Sequence, residues 1–571
     1  MACSKFVLIV LSLAVIVRCI RSMLSEQYEP EVWAYLHTGQ DDIAVTHWEN
    51  VIGRALNSDL RLPSPKVSRV HAVLIRNDSG LWKIYDVFSK GGVWVNDLKA
   101  GPQGVELSSG DIIGIGGEAL RFHNISNQQR LNIEQSRTSA GKRVSPSITL
   151  FELTVFQLFL LLQHAFSASA EYLQVISLGF LALIALEWCC YNAMRAIDRS
   201  GFEVETIAFF LTTLGMSVAA SSAPEEMYKQ ILLTIAAVAL FIFCGWWLRV
   251  LKRTMAMRIP VAILAGALLA LNILVSDAVL GAKNWLEIGG FSFQPSELVK
   301  AAYIYVGAAT LDKLFGRKNL YAFIVYSAIC VVALALIGDF GTALIFFVTF
   351  LVISFMRSGS IATIILALTG AGLAGFLAVT VKPYIAQRFA TWGHAWEDVY
   401  DAGFQQTRAM SAAASGGLYG KGAGSGWLRD IFAANTDMVF AVVCEELGLI
   451  IALIMVLAVL TLAFFAVRIA RHGLSAYYAI AACAAMSMLL TQLGLNVFGS
   501  LDMLPFTGVT FPFVSKGGTS LIACWMMMAF IKSSDNRRDA SFAVSPDKAK
   551  DAYADEELSE DEDEDEEGPV I

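Results

Sequence analysis

The apolar positions of this chain fall into two kinds of pattern. From about residue 147 to 532 they form long, nearly unbroken runs, several of which approach or exceed the roughly 18 apolar residues that span a bilayer. Between about 32 and 123 they alternate in short stretches instead: "VWAYL", "HAVLIR", "WKIYDVF", "GVWVND", "DIIGIG" and "ALRFH". Turn signals separate these at intervals of about 8–12 residues, the pattern of a β-sandwich. The long runs predict helices over 147–166, 171–191, 205–221, 229–248, 258–276, 298–314, 320–337, 342–357, 361–380, 438–467, 475–497 and 512–531. The expected architecture is a polytopic α-helical membrane protein carrying an all-β soluble domain.

The first 22 residues hold a short apolar run that fits either a signal peptide or an anchor. Arg18 and Arg21 make the following flank more basic than Lys5 makes the preceding one. An uncleaved anchor over 1–24, with its C-terminal side in the cytoplasm, is the favoured reading. Residues 126–146 form a polar linker, 147–195 an additional hairpin, and 205–532 the main membrane core. The connections "RVLKRTMAMR", "DKLFGRKN", "RIARHG" and "KSSDNRR" are basic and fall on one side of the helix count. By the positive-inside rule that side is cytoplasmic, and it takes the sandwich and both tail and linker with it. The Gly-, Pro- and polar-rich segments 281–297, 338–341, 381–437 and 498–517 then face outward.

Composition adds little to that picture. Hydrophobic residues make up 56% of the chain, and the formal charge of −8 is concentrated in residues 555–567, "DEELSEDEDEDEE". Such a block repels itself, so 533–571 is expected to be a disordered acidic tail. A mean charge of this sign gives no reason to expect nucleic acid binding. The nine cysteines show no CxxC or zinc spacing, and most lie in apolar runs.

Candidate chemistry lies in the outward segments. "QPSELVK" (294–300) puts Ser296 and Glu297 at a helix start, which capping explains in part. "GDFGTAL" places Asp339 before another helix. The segment 400–437 joins a Gly-rich backbone to Gln406, Arg408 and Lys421, groups suited to an anionic lipid-linked substrate. "LPFTGVTFPFVSKGGTSLI" (504–522) breaks the helix pattern at membrane depth, which requires surrounding protein or a water-filled cavity. Finally, "NTDMVFAVVCEELGL" (435–449) opens an apolar run with Asp437 and then buries Glu445 and Glu446. On one continuous helix Asp437 would sit about 80° from Glu445 and about 180° from Glu446. The two glutamates would lie about 12–14 Å deeper, each needing a cavity or a partner. Asp437 could be an N-cap or a catalytic group, and Thr436 could serve as the cap in its place.

"GAKNWLEIGGFSFQPSELVK", "GDFGTAL", "SGGLYGKGAGSG" with "NTDMVFAVVCEELGL", and "LPFTGVTFPFVSKGGTSLI" together resemble the four hallmark segments of the SEDS family, the FtsW/RodA/SpoVE proteins. The resemblance covers about 205–532 and implies a ten-helix core. It implies a peptidoglycan glycosyltransferase that polymerises lipid II at the outer membrane face in division, elongation or sporulation, beside a class B penicillin-binding protein. It assigns the family's essential acid to Asp437, as general base on the acceptor hydroxyl with undecaprenyl diphosphate leaving. It implies substrate contacts at Lys283, Trp285, Glu297, Asp339, Gln406, Arg408, Lys421 and Lys516, with Glu445 and Glu446 facing the cavity. Lys516 stands where an aromatic residue is usual, and is either a diphosphate contact or an interfacial lysine. A divalent cation, magnesium or manganese, fits the charge of the diphosphate, though no ligand cluster demands one. The alternatives are a transporter of a lipid-linked intermediate and an inactive scaffold.

The segment "IGRALNSDLRLPSPKVSRVHAVLIRNDSGLWKIYDVFSKGGVWVND" resembles the forkhead-associated (FHA) domain, with bounds near 25–125. That resemblance implies phosphothreonine binding by Arg54, Ser68 and Arg69, a bracing role for His71, and a partner that is a Ser/Thr kinase target. The Asn-Gly usual after "SK" is Gly91-Gly92 here. Thr138 in the linker is a candidate internal ligand; the acidic tail has no threonine.

Overall fold

The computed structural model describes every residue except 1, 26–31, 39–41, 56–57, 78–79, 88, 102, 126–143, 277–283, 289–290, 313–316, 359–360, 382, 472, 474, 538–539 and 544–571. Lys283, the central linker with Thr138, and the acidic tail therefore lie outside the described residues. Strands β1 (Ala34–His37) to β11 (Glu118–Asn124) form two sheets, ordered β2-β1-β11-β10-β7-β8 and β4-β3-β5-β6-β9. Here β2 is Asp42–Val45, β3 Glu49–Gly53, β4 Leu60–Arg61, β5 Ala72–Arg76, β6 Trp82–Asp86, β7 Val93–Val95, β8 Leu98–Ala100, β9 Val105–Leu107 and β10 Ile112–Ile115. Alternate residues point inward, so Leu36, Ile52, Leu74, Trp82, Ile84, Val93, Ile113, Leu120 and Phe122 close one apolar core.

The helices are α1 (Ala2–Ser25), α2 (Pro146–Ser167), α3 (Ala170–Ala196), α4 (Glu203–Ser222), α5 (Met227–Leu248), α6 (Leu251–Ala256), α7 (Arg258–Val275), α8 (Pro295–Asp312), α9 (Arg317–Ile337), α10 (Phe340–Ser358), α11 (Ile361–Val381), α12 (Pro383–Thr391), α13 (Phe404–Gly416), α14 (Ala434–Asp437), α15 (Val439–Leu447), α16 (Leu449–Ala470), α17 (Ala476–Ser500) and α18 (Gly518–Ser533). Ten helical stretches among the described residues are long and apolar enough to cross a membrane. A two-stranded hairpin, β12 (Leu286–Ile288) and β13 (Phe291–Phe293), precedes α8.

Helix α4 is the axis of the bundle. Its apolar span is buried throughout, and α1, α2 and α3 share one continuous core with it. A helix surrounded by helices must satisfy its polar side chains within the bundle. Gln157 on α2 donates to Thr213 (3.0 Å), and His164 meets Ser217 (2.9 Å).

Two ends of the bundle are set by polar contacts. At one, Arg537 grips both oxygens of Glu203 (3.1 and 3.0 Å), Lys532 pairs with Glu205 (2.9 Å), and Ser22 donates to Glu203 (2.6 Å). Tyr478 donates to the Leu248 carbonyl there, and Ser475 donates to Glu49 of the sandwich. The opposite end carries 4–5, 163–167, 222–226, 417–437 and 505–517.

Three expectations change. The helix expected over 438–467 is two helices and is preceded by a separate turn. Met438 breaks it first (φ −118°), and Gly448 (φ +94°) breaks it again. A side chain at Gly448 would strike the backbone of Leu418 and Gly420, so only glycine fits. The break lets the first amides of α16 donate to the carbonyls of Gly417 (3.0 Å) and Leu418 (3.4 Å). Second, the segment 381–437 is not an extended loop but contains α12, α13 and α14. Third, the chain just after α18 is packed rather than loose. Asp535, Arg537, Ala540 and Phe542 are buried, and Phe542 lies 5.3 Å from the Phe241 ring.

Candidate active site at the outer mouth of the bundle

Asp437 ends the four-residue turn α14, which starts from Ala433 in the left-handed region (φ +60°). The next helix takes Met438 as its N-cap residue and has no side-chain cap. The carboxylate of Asp437 is thus not spent on capping. The Thr436 hydroxyl donates back to the Ala433 carbonyl (3.1 Å) and does not cap α15 either. Asn496 on α17 fixes the turn by donating to the Asp437 carbonyl (3.0 Å) and the Val509 carbonyl (2.8 Å). Gly508 (φ +68°) faces the carboxylate, and a β-carbon there would sit 3.2 Å from Asp437 Oδ2. Burial pushes the Asp437 carboxyl up to about 6; Thr436 and the charge of Arg388 oppose the rise, and that of Asp339 adds to it.

The segment 505–517 forms the lid of this corner. It is fastened through its own backbone: Lys516 N–H donates to the Asn435 carbonyl (2.8 Å), and Ser515 donates to the Thr436 carbonyl. The same segment lies on the start of α10, where Thr507 and Val509 crowd Gly341. Irregular backbone at this depth is thus enclosed by protein, as bilayer physics requires.

The other predicted residues divide. Asp339 caps α10, accepting Thr342 N–H (2.9 Å), while its second oxygen accepts from Gln294 Nε2 (3.1 Å). Burial raises its carboxyl, and the Thr342 N–H opposes that. Glu297 is buried in the first turn of α8 against Lys300 (2.6 Å), itself fully buried. Lys300 and Gln294 were not singled out from the sequence, although both stand in "QPSELVK". A lysine three residues after a glutamate at membrane depth was the available signal. Ser296 is inside α8 rather than at its cap, because the helix begins at Pro295. Trp285 is 42% exposed, just before β12. Lys516 pairs with Glu226 (3.1 Å). Gln406 is buried on α13, and Arg408 lies over the Phe404 ring (5.1 Å).

Lys421, Glu445 and Glu446 belong to a second cluster. Glu445 pairs with Lys421 (2.7 Å) and accepts the N–H groups of Trp427 (3.1 Å) and Leu428 (2.9 Å). Glu446 accepts from Ser221 (2.7 Å) and Gly424 N–H (2.9 Å). The expectation of cavity-facing acids is corrected: both are buried against the Gly-rich segment and hold it by its backbone. The burial of Glu445 is offset by the Lys421 ammonium and two amides, whereas Glu446 takes both of its bonds on Oε2 and has a buried Oε1 without a partner. Among the described residues no three His, Cys, Asp or Glu side chains converge to build a metal cage.

In the sandwich, three loops meet. Arg54 N–H donates to the Ser68 carbonyl and Ala55 N–H to the Arg69 carbonyl (both 3.0 Å). Ser68 Oγ accepts Lys90 N–H (3.2 Å), joining the loop before β5 to that before β7. His71 is fully buried; its Nδ1 accepts Ser68 N–H (3.0 Å), and its Nε2 lies 3.0 Å from the Gly92 carbonyl. The side chains of Arg54 and Arg69 are exposed beside this junction.

These features define a multi-pass membrane protein with an acid that caps no helix beneath a packed segment at one end and an all-β sandwich joined to the other. The family model described as "Cell cycle protein", for FtsW, RodA and SpoVE, matches residues 206–539, and the FHA domain model matches 50–116. The chain belongs to the FtsW/RodA/SpoVE family and carries an FHA domain. It is 32% identical over 261 residues to stage V sporulation protein E of Bacillus subtilis, covering 44% of this chain and 69% of that one. It is 32% identical over 266 residues to a probable peptidoglycan glycosyltransferase FtsW of Escherichia coli, covering 45% of this chain and 64% of that one. A solved peptidoglycan synthase complex that coordinates polymerization and crosslinking contains a chain with 24% identity and a TM-score of 0.49. That match covers 58% of this chain and 96% of the other.

Proposed function

We propose that the protein is a peptidoglycan glycosyltransferase that polymerises lipid II at the outer face of the bacterial cytoplasmic membrane. The observation that carries this reading is the state of Asp437: a carboxylate at the mouth of the bundle, uncapped, under the lid at Gly508. The relatives' names as peptidoglycan glycosyltransferases support the same chemistry.

Asp437 accepts the proton of the acceptor sugar hydroxyl as the oxygen attacks the anomeric carbon of the donor. The bond to the diphosphate breaks, and undecaprenyl diphosphate leaves with the electron pair. A base near 6 is ionised at neutral pH and still basic enough to take that proton in the transition state. Lys516 is placed to exchange its partner Glu226 for a diphosphate oxygen. Polymerisation is followed with purified full-length protein and lipid II. Asp437→Asn keeps shape and removes the base, and product should fall by about 10² or more. Wild-type rates from that variant would sink the reading. Lipid movement across vesicles without polymerisation by the wild type would favour the transporter.

The sandwich end is the cytoplasmic end in this proposal, because Ser475 and Glu49 join it to the basic connections. Leu418→Cys in a cysteine-free background should react with an impermeant thiol reagent from outside intact cells. Leu98→Cys on the sandwich should not; the reverse pattern would overturn the orientation. The sandwich reads phosphothreonine on a kinase target through Arg54, Ser68 and Arg69, and a class B penicillin-binding protein is the expected membrane partner.

A further inference from the structure

The Gly-rich segment 417–424 has little conformational preference of its own. Gly417, Gly420, Gly422 and Gly424 all lie at positive φ, where glycine alone is comfortable. Its shape must come from outside. Part of that support comes from the family core, through Glu445, Glu446 and the start of α16. The rest comes from helices that precede the family match.

Ala423 is held at both backbone atoms by α2. Its N–H donates to Gln163 Oε1 (3.0 Å), and its carbonyl accepts from Ser167 Oγ (2.7 Å). Gln163 is buried and is itself oriented by α1, since its Nε2 donates to Ser4 Oγ (3.2 Å). Lys5 on α1 donates to the Gly420 carbonyl (2.7 Å). The ring of His164 stands beside Gly424, and its far nitrogen meets Ser217 on α4. Three residues of α1 and α2 therefore fix Gly420 and Ala423. From Ala423 the chain passes through the amides that Glu445 anchors, at Trp427 and Leu428, and then to Asp437.

We infer that Lys5, Gln163 and Ser167 are positioning residues for the transferase, clamping the Gly-rich segment so that Asp437 meets its substrate in one register. The family core here does not hold the Gly-rich segment alone; α1 and α2 complete its support in cis. The clamp itself is a statement about the segment's order, and its catalytic consequence rests on the proposed function above.

The test uses the full-length protein in detergent. Gln163→Leu combined with Ser167→Ala removes both bonds to Ala423 while keeping an apolar helix face. Gln163→Glu with Ser167 intact keeps the acceptor and serves as the rescue. Amide exchange over 417–428 should rise at least tenfold in the double variant and stay near wild type in the rescue. Exchange in α16 and α17 and the thermal midpoint should hold. The kcat for lipid II polymerisation should fall about tenfold with KM nearly constant, because a misplaced reacting group costs rate before it costs affinity. Unchanged exchange over 417–428 would overturn the clamp whatever the activity does. Raised exchange with unchanged kcat would overturn the positioning role. A wild-type protein that makes no glycan would sink the proposed function, while the exchange data would still decide the clamp.

Discussion

Asp437 and Glu445 stand eight residues apart and are both withdrawn from bulk water, yet they are treated in opposite ways. Glu445 is surrounded by donors: two backbone amides and the Lys421 ammonium. Its charge is used to fold a glycine-rich segment that has no shape of its own. Asp437 sits just before a helix break at Met438 that denies it the cap role, and burial lifts its carboxyl to about 6. Asp339 lies between these extremes, with one oxygen capping α10 and the other turned to Gln294. The contrast separates a carboxylate that is satisfied from one that is held in readiness. Glu445 is fully buried and Asp437 half-buried, and the donor count separates them further.

The comparison breaks most visibly at Glu445. Glu445→Leu leaves the Trp427 and Leu428 amides without their acceptor and frees the part-exposed Lys421, which should destabilise the fold by about 2–4 kcal/mol. Thermal unfolding in detergent should show it, and a near-normal midpoint would refute the structural role. Asp437→Asn should leave that midpoint within about 0.5 kcal/mol of wild type, since its carboxylate caps no helix.

A pH series sharpens the difference. Only the ionised form of Asp437 can accept a proton, and its folded-state value lies above the ordinary carboxylate range. The kcat/KM should therefore be flat above about 6 and fall toward tenfold per unit below it. Glu445→Gln, if it folds, should keep that inflection. An inflection that stays near 4 in the wild type would mean Asp437 is well solvated.

The smallest effect concerns the sandwich. Arg54→Ala should weaken binding of a phosphothreonine peptide by at least about tenfold, through loss of charge-assisted bonds. The exposed Arg54 side chain is not needed for folding, so the sheet should be unaffected. Equal binding by wild type and variant, measured by titration calorimetry, would make the sandwich a docking surface of another kind.

Much of this was legible in the sequence. Long apolar runs mark helices, and alternation marks the strands, because each period follows from backbone geometry. Asp437 stood out because the family's essential acid falls on it, while the residues alone left it an N-cap or a catalytic group. The breaks at Met438 and Gly448 were hidden, since the run through them carries no proline and a single glycine within an otherwise helical pattern is commonly tolerated. Gly448 is required by the approach of Leu418 and Gly420, a contact between segments far apart in the chain. The partners of Glu445 were equally out of sight, for two of the three are backbone amides. Lys300 was missed because a buried lysine and a snorkelling one look alike until its neighbours are known.

The grip of Arg537 on Glu203 has a meaning for biosynthesis. Glu203 opens the most enclosed helix of the bundle, but its counter-charge is translated 334 residues later. Until then a carboxylate at the foot of α4 has only the Ser22 hydroxyl to face it among these contacts. The nascent bundle therefore lacks this contact at its base until the last membrane helix and Arg537 behind it have emerged. A chain cut before Arg537 would leave Glu203 without that guanidinium; one cut beyond residue 543 would keep it.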